Sequence, residues 1–288
     1  MHPAPSVIVF TVLSGLGFGF LAFLSAGLVP VQGWGAFALW GLGVGLAVAG
    51  LVASTFHLGH PERALLAFTQ WRTSWLSREA CVAVLTLLWL VPEGLGQWLG
   101  FGWPPVWGWI GAALCLLTVL CTAMIYAQLQ TVPRWNLWTT PATFLAFALA
   151  GGALMAGFWQ GLPALAALML VGWHLGDGAF AARAQDMGTA TGLGPLGKVR
   201  VLEQPHSHPN YVMREMIHLV GRKHAQKLRV IALTLAALVP LALMLALPAH
   251  PATLAAATLA HLAGALAQRW LFFAEAEHVV GLYYGARA

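Results

Sequence analysis

The stretch HLGHPERALLAFTQWRTSWLSRE, residues 57–79, carries seven ionisable side chains (His57, His60, Glu62, Arg63, Arg72, Arg78 and Glu79) in a chain that is only 8% charged. Two of them suit proton exchange. An imidazole such as His57 titrates near neutrality and can both hydrogen-bond and protonate an acceptor. A carboxyl at the membrane edge, such as Glu79, can carry replacement protons. Arg72 and Arg78 are close enough in sequence to hold the carboxylate. The alternative is an interfacial histidine and a glutamate paired locally with Arg72 or Arg78, with no chemistry attached.

The elements that must position these groups are transmembrane helices. Of the residues, 59% are hydrophobic, above the range of soluble domains. Uncharged runs cover 7–29, 34–56 and 94–133, each long enough to span a bilayer at about 20 residues. The chain is therefore expected to be an all-α, polytopic membrane protein with a single integral domain over 1–288. Eight helices are expected near 7–29, 34–57, 75–93, 105–129, 140–158, 161–182, 228–247 and 252–273. A long connection over 183–227 turns helical from Asn210, a suitable N-cap. The first segment has no Lys or Arg before it and is too long for the apolar part of a cleaved leader.

Charge distribution orients the bundle. With eight spans, all 14 Lys and Arg fall on the face that holds both termini and the 2–3, 4–5 and 6–7 connections. The opposite face keeps one charge, Glu93. The positive-inside rule puts the basic face, and both termini, in the cytoplasm of a bacterial inner membrane. The uncharged run of helix 3, residues 80–92, is 13 residues or about 20 Å, short of the ~30 Å hydrocarbon core. The helix is expected to begin at Ser74 and draw Arg78 and Glu79 to or below the headgroups. His57 ends helix 2 at the same depth.

Other polar residues in apolar segments admit the same two kinds of reading. His57, His174 and His261 could supply axial ligands to a haem b on facing helices, although His261 can equally hydrogen-bond a neighbouring helix. Asp177 is expected to form an ion pair with Arg183 or Arg269. Cys81, Cys115 and Cys121 form no CxxC pair, so no iron–sulfur cluster is expected in this chain. They read as small buried hydrophobes. Span-end tryptophans, among them Trp34, Trp75, Trp103, Trp107, Trp135 and Trp138, form an aromatic belt. Nothing points to nucleic acid.

Three landmarks then carry a resemblance: HLG-x-P-x-R-A at 57–64 with SWLSRE at 74–79, TVPRWNLWTTP at 131–141, and AGALAQRWLFFAEAEHVVGLYYG at 263–285. Together with eight spans they resemble the membrane anchor subunit of the dimethyl sulfoxide reductase family. The resemblance implies a subunit that does no molybdenum chemistry itself. It anchors a molybdopterin catalytic subunit and a four-cluster ferredoxin-like iron–sulfur subunit, and exchanges electrons with quinone (ubiquinone or menaquinone). The family's quinone-site His and Glu map onto His57 and Glu79, and an Arg of the last helix maps onto Arg269. Arg72 or Arg78 would hold Glu79 or the negative charge developing on the quinone, and protons would come from the cytoplasm, so turnover would generate little membrane potential.

Two features depart from the reductase anchors: a long basic 6–7 connection, expected to dock the iron–sulfur subunit, and partner-facing loops in the cytoplasm. Both fit a cytoplasmic branch of the family, the membrane-bound sulfite dehydrogenases, which oxidise sulfite to sulfate and reduce quinone. The alternatives are a reductase anchor that oxidises quinol, a haem b cytochrome subunit, and a transporter or plain anchor without a redox role.

Overall fold

The computed structural model describes residues 3–56, 60–203, 208, 210, 213, 216 and 224–284. His57 lies outside the described residues, as do Arg214, Arg222, Lys223 and Arg287.

The long helices, in order, are α1 (Pro5–Ser25), α2 (Gly33–Thr55), α3 (Trp75–Leu99), α4 (Pro105–Ala127), α5 (Thr139–Met155), α6 (Leu162–Gly178), α7 (Ala225–Ala246) and α8 (Pro251–Ala274). No strand occurs among the described residues. Helices α1, α2, α3, α4 and α7 are long and apolar enough to cross a membrane by length and composition. Helices α5 and α6 are shorter, at 17 residues each, and the continuous helix α8 carries His261, Gln268 and Arg269 within its apolar sequence. Rows of exposed apolar side chains cover α2 (Phe37, Leu42, Val48, Val52) and α3 (Val84, Leu85, Leu88, Val91). Surfaces of that kind mark contact with lipid rather than water.

Helix α1 is the hub. It packs on α2, α4, α5 and α8 and is the most buried of the five apolar helices. Small residues allow the backbones to approach, the main route to helix association in lipid. A Cβ on Gly152 of α5 would meet the backbone of Gly19 and Phe20, and one on Gly50 of α2 would meet Ser14.

The short connections (26–32, 100–104, 156–161 and 247–250) gather at one end of the bundle, where Ser25 of α1 meets Glu93 of α3 and Gly108 of α4. The long ones (56–74, 128–138 and 179–224) leave and re-enter the bundle at the other. There a 3-10 turn, Pro61–Phe68, precedes α3. The C-terminal 3-10 segment Val279–Tyr284 ties two connections together. Val279 N–H donates to Thr131 O (2.9 Å), and Tyr283 Oη donates to Ala190 O (2.9 Å). Asn210 behaves as the expected N-cap, its Oδ1 accepting from Met213 N at 2.9 Å.

Helix α3 corrects one expectation. It does not stop near 93 but continues through Pro92 to Leu99, 25 residues in all or about 37 Å. It is therefore long enough to cross the hydrocarbon without drawing in its charged start. Local sequence reads Pro92-Glu-Gly-Leu-Gly as a stop, but tertiary contacts carry the helix on. Trp40 packs over Gly94, Trp103 covers Gly96 and donates to Pro92 O (2.8 Å), and Ser25 binds Glu93. Gly100, with φ of 83°, then caps the helix through its N–H to Gly96 O (2.9 Å), since a left-handed cap favours glycine. The other boundaries lie within four residues of those expected; α1 ends at 25 rather than 29, and α6 at 178 rather than 182.

Candidate functional site

Glu79 sits one turn inside α3 at the end of the long connections. The α3–α4 packing, not helix length, buries it to 5% exposure. Its carboxyl is hydrogen-bonded to the Thr122 hydroxyl of α4, and that hydroxyl also lies 3.1 Å from Thr118 O.

Neither neighbouring arginine is its partner. Consecutive helical residues project about 100° apart and do not face each other, so Arg78 turns back onto the preceding loop. Its Nε donates to Trp71 O (2.9 Å) and its Nη2 to Arg72 O (2.7 Å), with the guanidinium over the Trp75 ring at 4.4 Å. Arg72 lies over Trp71. The local pairing of Glu79 with Arg72 or Arg78 is therefore absent among the described residues. Both arginines instead shape the connection that leads into α3. His60 pairs with Glu62 in the exposed turn at 2.9 Å.

Arg269 lies on the far side of Thr122. It is 3% exposed, with its guanidinium carbon 3.5 Å from the Phe144 ring centroid. Its Nε and Nη1 have no hydrogen-bond partner, and no carboxylate pairs with it among the described residues. A narrow cleft between α1, α4, α5 and α8 is lined by Thr11, Ser14, Thr122, Phe144, His261 and Arg269. It is of a width for a water or a single carbonyl oxygen rather than a whole ring. Thr122 thus belongs both to the Glu79 hydrogen bond and to the cleft holding Arg269. Buried Tyr126 of α4 sits with its ring edge-on among Trp135, Phe272 and Phe273.

The other histidines separate. His261 is 2% exposed, and its Nδ1 lies 2.7 Å from Ala236 O of α7. A carbonyl only accepts, so Nδ1 carries the proton. The reason is local: Pro240 has no N–H to return to Ala236 O, α7 is π-helical over Thr234–Leu238, and His261 supplies the donor. His261 thus bonds a neighbouring helix. His174 is exposed on α6, so the described residues bring no histidine pair together, and no group of three metal-ligating side chains occurs among them.

One cluster has no counterpart among the sequence expectations. Asp177 at the end of α6 pairs with neither Arg183 nor Arg269. Arg134 Nη2 reaches its Oδ1 at 2.5 Å, and Arg229 Nη1 its Oδ2 at 2.8 Å. Both arginines also bind Glu275, just past α8, at 3.3 Å and 2.8 Å. Arg183 is used elsewhere, donating to Gln130 O (2.7 Å) and Asn136 Oδ1 (2.5 Å). The four-membered network clamps the 4–5 connection to α6, α7 and α8. Three of its members lie at landmarks or helix ends, but their pairing across 141 residues has no local signal.

Comparison with known proteins places this geometry. The sequence profile of the DMSO reductase anchor subunit (DmsC) family matches residues 1–161. A curated relative from Allochromatium vinosum, one of the subunits of its sulfite dehydrogenase, is 33% identical over 99% of both chains. No solved structure matches. The match to more than half of the chain, together with the end-to-end similarity to a curated relative, makes it a member of the DMSO reductase anchor subunit family.

Proposed function

We propose that this chain is the quinone-reactive anchor of a molybdopterin oxidoreductase complex, passing electrons between a partner iron–sulfur subunit and the membrane quinone pool. The observation that carries it is the buried Glu79 carboxyl, joined by Thr122 to a largely apolar cleft in which Arg269 keeps two unpartnered nitrogens. A buried guanidinium without an acceptor is costly, and a carbonyl oxygen is the acceptor its N–H groups suit. Quinone, when bound, accepts two electrons and two protons and leaves as quinol.

This chain's residues supply the rest. Arg269 orients the carbonyl end and stabilises the negative charge that builds on it. Glu79 holds a proton within reach of Thr122, whose hydroxyl can take it up on one side while giving its own on the other. His57, by the family resemblance, is the second donor. Arg72 and Arg78 set the entry of α3 through their loop contacts. The Phe144, Phe147 and Phe18 side chains keep the cleft dry.

In this reading all eight long helices cross the inner membrane, and the basic connections and both termini are cytoplasmic. The 6–7 connection, with Lys198 and Arg200, docks the iron–sulfur subunit, and the molybdopterin subunit sits beyond it. Sulfite oxidation with quinone reduction is the favoured overall reaction, supported by the likeness to a sulfite dehydrogenase subunit and by the charge pattern. The test is Glu79→Gln in the assembled complex. Turnover with a quinone acceptor is expected to fall on the order of a hundredfold, as for loss of a positioned proton donor. Turnover with an artificial acceptor that takes electrons from the partner subunits is expected to persist. Equal losses on both acceptors would refute the assignment.

A further inference from the structure

Glu93 has no part in that reaction, yet it is built into the fold as thoroughly as Glu79. It is 6% exposed, near the end of α3 remote from Glu79. Ser25 Oγ of α1 lies 2.6 Å from its Oε2 and 2.9 Å from Gly108 O of α4. Ser25 has one hydroxyl proton and faces two oxygens. A carbonyl can only accept, so satisfying both contacts requires the carboxyl to donate to Ser25 while Ser25 donates to Gly108 O. Glu93 is then a neutral acid with a proton to give. A Cβ at position 108 would collide with Ser25 O and stand 3.0 Å from Glu93 Oε1, and one at position 111 would collide with Ser25 Oγ. Glycine at both positions lets Ser25 and the carboxyl meet between three helices.

Between the two acids runs a polar seam. Glu79, Thr86 and Glu93 recur every seven residues and share one face of α3. Facing them, α4 presents Gly108, Gly111, Cys115, Thr118 and Thr122 at intervals of three and four. Thr122 joins Glu79 to Thr118 O, and the Thr118 and Thr86 hydroxyls lie 3.0 Å apart. Fully buried Cys115 fills the level of α4 between Thr118 and the glycines that face Glu93. Groups with exchangeable protons therefore stand at successive levels from one end of the bundle to the other: carboxyl, hydroxyls, thiol, carboxyl.

We propose that this seam conducts protons between Glu93, at the end with the short connections, and Glu79, at the end with the basic ones. The protons consumed when quinone is reduced are drawn from the side opposite the partner subunits. This rests on the quinone reading above. Per quinol formed, two electrons arrive from the partner iron–sulfur subunit, two protons enter at Glu93, and two are delivered from Glu79. The charge movement makes turnover electrogenic, whereas the sequence alone led to proton uptake on the partner side and little potential.

The test uses the whole complex in proteoliposomes with the partner subunits outward, quinone in the bilayer and a pH dye trapped inside. Methyl viologen radical is the external donor, because its oxidation releases no proton. Quinol formation accompanied by a rise of internal pH near two protons per quinol supports the path, provided that Glu93→Gln lowers that rise at least tenfold. Thr86→Val, which keeps the side-chain shape, gives the same loss and serves where Glu93→Gln fails to assemble. Constant internal pH while quinol forms and the external medium loses protons overturns the proposal, as does a rise that both variants retain. If no quinol forms, both the path and the reading beneath it are overturned.

Discussion

Replacing Arg269 by methionine is expected to stabilise the protein and cripple it at the same time. The guanidinium is 3% exposed, with Nε and Nη1 unpartnered, and burying an ion costs several kcal/mol after relaxation. Stacking on Phe144 at 3.5 Å and Phe272 at 5.5 Å returns about 2 kcal/mol for a desolvated cation–π contact. The balance is a few kcal/mol unfavourable without ligand. Methionine fills the stem's volume and keeps a sulfur–aromatic contact, so Arg269→Met is expected to raise stability by about 1–3 kcal/mol, within the range seen when buried ions become apolar. Loss of a hydrogen bond from a charged donor costs about 1.5–3 kcal/mol, which at 1.4 kcal/mol per tenfold is a rise of roughly 10- to 150-fold in KM for quinone. Arg269→Lys keeps the charge but loses the planar fork and the stack, and should share the KM defect without the gain in stability. The assays are the thermal midpoint of the detergent-solubilised protein and steady-state quinone kinetics of the complex. A drop in Tm with Arg269→Met refutes the reasoning, because it means that the guanidinium is already satisfied within the fold.

Thr122→Val should impair quinone-linked turnover tenfold or more and leave the artificial-acceptor rate intact, with Thr122→Ser restoring it; equal rates for the valine variant and the parent protein would exclude a hydroxyl relay. Glu275→Gln leaves two largely buried guanidiniums with one half-exposed carboxylate, and is expected to cost about 3 kcal/mol by unfolding in mixed micelles. Asp177→Asn, at a side chain 48% exposed, should cost about 1 kcal/mol. His278, whose Nδ1 accepts from Val280 N at 3.0 Å, is held below the ordinary histidine range by burial. Its folded pKa is lower than its unfolded one, so it favours tail docking above about pH 6.5. That contribution is lost as pH falls through the folded value, and limited proteolysis of the 279–284 segment should quicken in acid and not in alkali. A phosphatase fusion after Arg287 should be inactive and a fluorescent protein there bright; phosphatase activity would overturn the orientation.

The helices are legible in the sequence because lipid-facing segments are read by composition alone, and short loops rich in Gly and Pro separate them. The full length of helix α3 is not, since the contacts that extend it come from α1, α2 and the connection after α3. Trp40, Trp103 and Ser25 hold Pro92-Glu-Gly in helical form, and none is within ten residues of Pro92 except in space. Glu79 stands out in the sequence through a helix-length argument that the structure removes, although the residue it points to is indeed buried. Its partner Thr122 is 43 positions away, and a threonine in an apolar helix most often bonds its own preceding turn. The spacing of 79, 86 and 93 against 108, 111, 115, 118 and 122 is visible in the sequence. Face analysis of two adjacent helices would have found it.

The placement of these groups follows from what lipid permits. An ionisable side chain inside a membrane must face protein, and the protein that Glu93 and Arg269 face includes α1, which carries no ionisable residue between 5 and 25. Its polar side chains are hydroxyls alone, and the buried ones are Thr11 and Ser14, bonded back to their own helix, and Ser25, which meets Glu93. A charged hub would have fixed each neighbour in a closed ion pair, as Glu275 is fixed at the bundle's edge. A hydroxyl-bearing hub instead leaves Arg269 short of acceptors and leaves the carboxyls bonded to groups that both give and take protons. Buried acids bonded to hydroxyls can exchange protons in a way that a carboxylate clamped between two guanidiniums cannot. In the proposed reading the exchange chemistry therefore belongs to the α1, α3, α4 and α8 interior, and the Arg134–Asp177–Arg229–Glu275 network holds the scaffold around it.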